Sequence, residues 1–277
     1  MKKNYGQTYT MPLLVWITLF FVIPISFILI GSFLKKSLYG GFEFKFTFDA
    51  YKALINPQFL KVVVNTTIIS VISTVITILL AIPSAYYIAK SKHKDMLLFL
   101  VIIPFMTNFL IRIFAWIAIL GNNGILNNFF INLGVISHPL QFLYNKQAII
   151  LVMIYTYLPF AILPLYATIE KFDFSLLEAA RDLGATKFQA FYKILVPNII
   201  PGITTAVLFT FIPIFGNFAV PDIVGGKDSV MVGNIINNQL KVAKNWPLSS
   251  SISVVLTVLT TIGILLFLKV TKSKASE

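Results

Sequence analysis

The sequence predicts an all-α membrane protein with six transmembrane helices. Hydrophobic residues make up 57% of the 277 residues, charged residues only 12%, and the mean hydropathy is +0.86. These values are too apolar for a soluble protein of this length. Six segments are long and apolar enough to cross about 30 Å of hydrocarbon as helices. They cover residues 12–34, 62–89, 96–120, 147–169, 198–221 and 248–270, and we expect them to form a single transmembrane domain over 1–277.

The first segment follows Lys2 and Lys3. It is longer than the apolar region of a signal peptide and has no small-residue cleavage site, so we expect it to be retained as a span. Several of the other spans contain prolines, and neighbouring helices can satisfy the carbonyl groups that a proline leaves free. Kinked helices in a bundle are therefore expected.

The net charge of +12 is compatible with nucleic-acid binding. However, no basic run with interleaved aromatic residues lies outside the apolar spans, so positively charged membrane loops explain the charge better. The absence of cysteine excludes disulfides and cysteine metal sites. The two histidines, His93 and His138, lie apart in predicted loops, so we expect no metal site.

Lysine and arginine are distributed unevenly among the loops. With the N-terminus inside, the inner pieces are 1–11, 90–95, 170–197 and 269–277, and their Lys/Arg density is about twice that of the outer pieces. The outer loop 35–61 opposes this orientation with five lysines. The balance predicts that both termini are cytoplasmic and that 170–197 is a cytoplasmic loop.

This polar loop contains the stretch SLLEAARDLGATKFQAFYKILVP, residues 175–197. Ser175 and Glu178 have the spacing of a capping box, and Gly184 can end the resulting helix in a left-handed conformation. Thr186 and Gln189 predict a second capping box, and Pro197 ends the second helix or kinks it into the next span. The predicted faces carry Leu176, Ala179, Ala180 and Leu183 on the first helix, and Phe188, Phe191, Tyr192 and Leu195 on the second.

Two explanations of this helix pair are open. An amphipathic loop on the lipid headgroups would account for its aromatic residues and lysines. A rigid corner with small residues on its face fits better into a groove of another protein.

The spacing of Glu178-Ala179-Ala180, Gly184, Ile194 and Val196-Pro197 resembles the EAA loop of ABC-importer permeases of type I. The usual ending is Leu-Pro, where this chain has Val196-Pro197. The resemblance implies six spans and a coupling helix that sits in a cleft of the cytoplasmic ATPase. It assigns ATPase coupling to Glu178, Ala179, Ala180, Asp182, Gly184, Ala185, Phe188, Ile194 and Pro197.

Three further stretches resemble the spermidine/putrescine permeases of the PotB type. They are IPFMTNFLIRIFAWIAIL (103–120), GNFAVPDIVGG (216–226) and the pair Trp246-Pro247. The expected Asp-Trp-Pro is replaced by Asn245-Trp246-Pro247, so a carboxylate that could meet a polyamine is missing there. The resemblance implies a subunit of a polyamine importer in the bacterial cytoplasmic membrane.

The chain carries no P-loop motif, zinc motif or intramembrane pair of carboxylates. We therefore expect no catalysis and no cofactor on this chain, with ATP and Mg²⁺ held by two partner ATPase subunits. The other expected partners are a second homologous permease, an extracytoplasmic substrate-binding protein and the lipid bilayer, without nucleic acid. The alternatives are a permease for another small solute, a secondary transporter and a membrane-embedded enzyme.

A path for an extended polycation should offer hydrogen-bond acceptors and aromatic faces. The candidates are Asn108, Trp116, Tyr155, Tyr157, Asn217 and Asp222. For the aromatic residues, packing or anchoring at the membrane interface is an equally simple explanation. Asp222 is also compatible with an ordinary loop acid.

Arg112 is the one charged residue inside a predicted span, and the chain has only one other arginine, Arg181. An arginine in a lysine-rich chain suggests a role for its planar, multi-donor group. In a membrane it should face the bundle interior and be paired. We expect a structural or gating role for Arg112, in which it approaches Asp222 in at least one state.

Overall fold

The computed structural model describes residues 5–275, and most of their regular structure is helical. The helices are α1 (Tyr5–Ile17), α2 (Ile23–Gly31), α3 (Asp49–Leu54), α4 (Pro57–Lys90), α5 (Lys94–Met106), α6 (Phe109–Leu120), α7 (Ile125–Asn132), α8 (Lys146–Ile169), α9 (Ser175–Asp182), α10 (Lys187–Ala190), α11 (Val196–Asn198), α12 (Ile200–Phe215), α13 (Ala219–Val224), α14 (Val232–Lys241) and α15 (Trp246–Ala275). Thr18–Val22 and Phe191–Leu195 are π-helical, and Lys227–Ser229 is a 3₁₀ turn.

Five helical segments in the described part of the chain are long and apolar enough to cross a membrane. They are Thr10–Gly31, Pro57–Lys90, Phe109–Asn132, Lys146–Ile169 and Trp246–Thr271. A sixth span results if Lys187–Asn198 and Ile200–Phe215, which meet at an angle of 72°, are taken together. The prediction of an all-α membrane fold is confirmed.

The predicted third span, 96–120, is divided into α5 and α6, and the segment long and apolar enough to cross a membrane is Phe109–Asn132. Between α5 and α6, Thr107 and Asn108 have extended ψ angles of 151° and 133°. The Asn108 side chain accepts hydrogen bonds from the N–H groups of Leu110 and Ile111, which caps the new helix. A polar cap inside an apolar run therefore divides this segment in two.

The described residues form two compact units. The first comprises the chain up to Lys61 together with Ile235–Thr261, and the second comprises Val62–Asn234 together with the chain from Ile262. Helices α4 and α15 contribute residues to both. The single transmembrane domain stays a prediction.

The first unit contains an antiparallel hairpin that the sequence analysis missed. Strands β1 (Leu34–Lys36) and β2 (Phe42–Phe46) pair in the predicted outer loop, with a bulge between Leu34 and Lys35. Phenylalanine rings support the hairpin, and the ring of Phe42 packs edge-on against Trp246 at 5.5 Å between centroids. Alternation of phenylalanine with charged residues in FEFKF was the available signal for β2.

The core of the second unit is formed mainly by α8, which packs along α12. One buried cluster surrounds Leu165 and Ile169 near the end of α8 and includes Leu195 of the predicted cytoplasmic loop. A second cluster surrounds Ile149 and Met153 near the start of α8. These two clusters position the two groups of residues described below.

Candidate functional site

The polar stretch 170–197, called the coupling loop below, belongs to the second unit, and its first residues bond to the neighbouring helices. Lys94 Nζ donates a hydrogen bond of 2.6 Å to Glu170 Oε1, and the Tyr166 hydroxyl donates one of 2.6 Å to the same carboxylate. The hydrogen bond from Lys94 lowers the pKa of Glu170, and the same bond raises the pKa of Lys94. Lys90 Nζ lies 5.3 Å from the ring centroid of Phe174. The start of the loop is therefore tied to the ends of α4 and α8 and to the start of α5.

The capping box predicted at Ser175 and Glu178 is wrong. The Ser175 hydroxyl does not cap the helix; instead the Ser175 N–H donates to Asp173 Oδ1 at 3.0 Å. The side chain and the N–H of Ser175 both hydrogen-bond to Asp173 and lower its pKa. The helix starts from an aspartate turn two residues before Ser175, since a carboxylate is a stronger acceptor than a hydroxyl.

Gly184 forms the corner between α9 and α10, as predicted. Its φ angle is +91°, which a residue with a Cβ adopts only at a cost. The Gly184 N–H donates to the Arg181 carbonyl at 2.9 Å, and the Ala185 N–H donates to the Ala180 carbonyl at 3.0 Å. This is the hydrogen-bond pattern of a Schellman motif.

The second capping box is confirmed. The Gln189 N–H donates to Thr186 Oγ1 at 3.2 Å, and the Thr186 N–H donates to Gln189 Oε1 at 2.9 Å. Beyond it, the helix passes through Pro197 and ends at Asn198, where the chain bends by 72° into α12. The predicted kink is present, but it lies at Ile199, two residues beyond the proline.

The predicted apolar faces of both helices are divided between the core and the surface. On α9, Leu177 is buried at 7% exposure, whereas Leu176 and Leu183 are exposed. On the second helix, Leu195 is buried and Phe191 packs on Tyr86, with ring centroids 5.4 Å apart. The prediction that each apolar face lies in one environment is wrong, because only part of each face packs into the buried core.

The surface that remains, called the coupling face below, is apolar and exposed. Leu183 is 89% exposed, Phe188 76% and Tyr192 64%. The rings of Phe188 and Tyr192 stack with an interplanar angle of 4°. Among the other residues assigned to coupling, Glu178, Ala179, Asp182, Gly184 and Pro197 are exposed, and Ala180, Ala185 and Ile194 are half-buried. Large exposed apolar side chains in a polar loop mark a surface that contacts either a protein partner or the membrane.

The second group of candidate residues lies in the spans. Arg112 is half-buried on α6, and its guanidinium carbon lies 5.6 Å from the ring centroid of Phe105 and 5.9 Å from that of Phe109. Its Nε atom is buried and has no hydrogen-bond partner among the described residues. Asn108, predicted for the substrate path, is the cap of this helix.

Tyr157 and Asn217 form a buried hydrogen bond of 2.8 Å from Asn217 Nδ2 to the Tyr157 hydroxyl. Asn217 Oδ1 also accepts the N–H of Val220 at 3.0 Å, at the start of α13. Trp116 and Tyr155 pack edge to face, with ring centroids 5.4 Å apart. The structure therefore brings four of the six predicted path residues together as two separate pairs, and Asn108 and Asp222 belong to neither.

Asp222 accepts a hydrogen bond from Asn234 Nδ2, and Asn234 also donates to the Phe218 carbonyl at 2.9 Å. The adjoining segment is held on α4, because the Val232 N–H donates to Thr66 Oγ1 at 2.9 Å. Helix α13, which carries Asp222, packs against α6, which carries Arg112. The approach of Arg112 to Asp222 stays a prediction.

Sequence reasoning missed several residues of these sites. Asn234 and the Lys94–Glu170 pair gave no local signal, because each acts through a contact specified by the fold. Asp173 was missed although its turn with the Ser175 N–H is local and typical of aspartate. Phe109 precedes Arg112 by three residues on α6, a spacing that could have indicated a ring beside the charge. In the part of the chain that the structure describes, no three metal-binding side chains are grouped.

Comparison with known proteins identifies a transport family and several permeases that are similar to this chain. The family described as "Binding-protein-dependent transport system inner membrane component" matches residues 59–272. The spermidine/putrescine transport system permease protein PotB of Haemophilus influenzae is 40% identical over 259 residues, which cover 93% of this chain and 91% of that protein. PotB of Escherichia coli is 38% identical over 254 residues, covering 91% of this chain and 92% of that protein.

A more distant relative is the inner membrane ABC transporter permease protein YdcU of Escherichia coli, 31% identical over 74% of this chain and 69% of its own length. Among solved structures, a bacterial ABC transporter that imports the acidic polysaccharide alginate aligns with a TM-score of 0.81. The alignment covers 98% of this chain and 96% of that chain at 18% identity. At this identity the likeness concerns the fold alone.

Proposed function

The chain belongs to the family of inner membrane components of binding-protein-dependent transport systems, and on that premise we propose that it is the permease subunit of an ATP-driven polyamine importer. The identity of about 40% to PotB over nine-tenths of both chains supports spermidine and putrescine as substrates. The coupling face supports ATP hydrolysis by a partner subunit as the source of energy. A permease for another small solute is the second candidate.

The coupling face is the observation that carries the proposal. Its side chains are apolar, exposed and mounted on a corner that is held by Gly184 and by the Thr186 capping box. A rigid, apolar projection of this kind buries its surface in the groove of a partner. The partner is a cytoplasmic ATPase that holds ATP and Mg²⁺, because the sequence of this chain contains no nucleotide-binding motif.

The complete transporter contains two ATPase subunits and a second homologous permease. A binding protein delivers the polyamine to the predicted outer loops. ATP-driven closure of the ATPases moves the coupling loops. Because Glu170 joins the coupling loop to α5 through Lys94, this motion reaches the broken helix of α5 and α6. The spans then alternate between outward-facing and inward-facing states.

Reconstitution tests the proposal directly. The chain is co-expressed with its candidate ATPase, permease and binding protein, and radiolabelled spermidine uptake into proteoliposomes is measured. We expect uptake that requires ATP and persists when ionophores collapse ion gradients. Uptake driven by an ion gradient without ATP would identify a secondary transporter, and uptake of a different solute alone would identify the second candidate.

A matched pair of variants tests the coupling face. Leu183→Asp places a charge on that face, and Leu38→Asp places one on the hairpin in the predicted outer loop, where Leu38 is 98% exposed. We expect Leu183→Asp to abolish co-purification of the ATPase and Leu38→Asp to leave it unchanged. Equal retention of the ATPase by both variants would contradict the assignment of the coupling face.

A further inference from the structure

The environment of Arg112 in the spans is unusual for a charged side chain. A guanidinium at membrane depth is costly unless an acid, carbonyl groups or water compensate it. Here the rings of Phe105 and Phe109 lie 5.6 Å and 5.9 Å from its guanidinium carbon, and its buried Nε has no hydrogen-bond partner in the described residues. Interaction of the cation with the two π faces replaces part of the lost hydration.

The Phe105 ring belongs to a larger aromatic cluster. Phe105 packs edge-on against Phe160 at 4.9 Å, and Phe160 contacts Tyr157 at 5.8 Å between ring centroids. Tyr157 is joined to Asn217 by the hydrogen bond described above. A continuous line of π faces and polar atoms therefore extends from Arg112 to the start of α13.

The break between α5 and α6 lies between the two rings. Phe105 is on the last turn of α5, Phe109 is the first residue of α6, and Thr107 and Asn108 between them are exposed. Irregular backbone at membrane depth is tolerated where it is buried in protein or lines a cavity. Interrupted helices in transporters also supply free backbone carbonyls that bind cations. The break thus lies between two aromatic residues, Phe105 and Phe109.

We propose that Phe105 and Phe109 form a binding site for a primary ammonium group of the transported polyamine, and that Arg112 is the tethered occupant of this site when substrate is absent. The proposal rests on the proposed function, since it assumes a cationic substrate. A guanidinium and an alkylammonium are recognised by the same π faces and carbonyl oxygens. Arg112 thus occupies the place of the substrate.

A tethered occupant has two consequences. The apparent affinity for the polyamine is the intrinsic affinity multiplied by the fraction of time in which Arg112 leaves the site free. The charge of Arg112 also repels other cations from an empty pathway. When an ammonium group takes the site, Arg112 moves away, and α13, which packs against α6 and carries Asp222, offers a carboxylate on the neighbouring helix.

An equilibrium binding experiment without the binding protein tests this proposal, because it measures binding to the permease complex alone and not delivery of the substrate. The permease complex with its ATPases is placed in lipid nanodiscs, and binding of radiolabelled spermidine is measured. Phe105→Leu and Phe109→Leu keep the apolar volume and remove the π face, so we expect the dissociation constant to rise about fivefold to thirtyfold. Phe114→Leu, an exposed aromatic position on the same helix, is the matched control and should leave binding unchanged.

Variants of Arg112 should change the dissociation constant in the opposite direction. Arg112→Gln removes the competing charge, so we expect spermidine to bind several-fold more tightly than to wild type. Arg112→Lys retains a positive charge with a different shape and should give a smaller gain. Size-exclusion profiles check that each variant remains folded, and Arg112→Lys preserves the test if Arg112→Gln does not assemble.

Several outcomes would overturn the proposal. They are unchanged binding by both leucine variants, weaker binding by Arg112→Gln and Arg112→Lys, or no spermidine binding by either wild type or Arg112→Gln. ATP-driven spermidine uptake by the wild-type complex separates these outcomes from a failure of the proposed function. If uptake is present and the variants bind alike, only the ring site is wrong. If uptake is absent, the polyamine assignment is wrong, and the site with it.

Discussion

Lys94 Nζ and Glu170 Oε1 lie 2.6 Å apart, and this ion pair joins the first residue of α5 to the residue that follows α8. The two residues are 76 positions apart in sequence. The pair connects the coupling loop to the helix whose far end carries Phe105. We expect the pair to transmit movement between the predicted ATPase contact and the spans.

Breaking this pair should affect transport more than stability. Both side chains are partly exposed, so solvent screens their attraction and the folded state gains little from it. We expect Glu170→Gln to reduce ATP-driven uptake while the melting temperature hardly changes. The charge reversal Lys94→Glu combined with Glu170→Lys should recover uptake, and failure of this double variant to exceed either single variant would contradict the connection.

The pair also predicts a pH dependence of stability. The pKa of Glu170 is lowered, so its contribution is present above the unfolded pKa and is lost as pH falls through the lowered folded value. The pKa of Lys94 is raised, so its contribution is present below the unfolded pKa and is lost as pH rises through the raised folded value. The difference in melting temperature between wild type and Glu170→Gln should be constant around neutral pH and vanish at both extremes.

Gly184 provides a test of the corner. A Cβ there meets no atom within 4 Å, so the cost of a side chain arises only from the φ angle of +91°. Gly184→Val should misalign the two short helices and uncouple ATP hydrolysis from uptake, with a strain of about 1–2 kcal/mol. Gly184→Asn, which tolerates this conformation, should retain most uptake. Normal uptake by Gly184→Val in proteoliposomes would show that the corner does not require glycine.

The predicted orientation can be tested with single cysteines, because the chain contains none. Lys92→Cys and Asn123→Cys are exposed positions in a predicted inner and a predicted outer loop. In intact cells an impermeant maleimide should label Asn123→Cys alone, and both variants should be labelled after permeabilisation. Labelling of Lys92→Cys in intact cells would reverse the orientation.

The predicted gate between Arg112 and Asp222 is tested by a double-mutant cycle. An unpaired charge in the membrane is costly, so removing one partner should reduce uptake more than removing both. The variants are Arg112→Gln and Asp222→Asn, alone and combined, at matched membrane abundance. Strictly additive losses would indicate that the two side chains act independently.

Alanine substitutions at Gly226 and Gly263 provide a matched test of how backbone packing affects stability. A Cβ on Gly226 would overlap the backbone carbonyl of Tyr144, whereas a Cβ on Gly263 meets nothing within 4 Å. We expect Gly226→Ala to lower the melting temperature clearly, because backbone must move. Gly263→Ala, inside α15, should raise it slightly, since alanine favours a helix by about 1 kcal/mol over glycine. Equal melting temperatures would contradict the close approach at Gly226.

The sequence by itself determined the features that depend on neighbouring residues. Apolar length predicts the spans because a membrane helix satisfies its backbone internally. The Thr186 capping box and the left-handed Gly184 were predictable for the same reason, since their hydrogen bonds connect residues at most five positions apart. The resemblance to importer permeases also rests on a local pattern, the spacing within 178–197.

Only the tertiary structure decided which of several locally possible arrangements is present. On α9, for example, Leu176 and Leu177 could both face inward. Packing of Leu177 into the buried cluster around Leu165 selected one rotation of the helix. The surroundings of the break at Asn108 also depend on tertiary contacts. The Phe105 ring beside the break packs against both the Arg112 guanidinium and the Phe160 ring. Such choices depend on contacts between residues distant in sequence, whose free energy no local pattern contains.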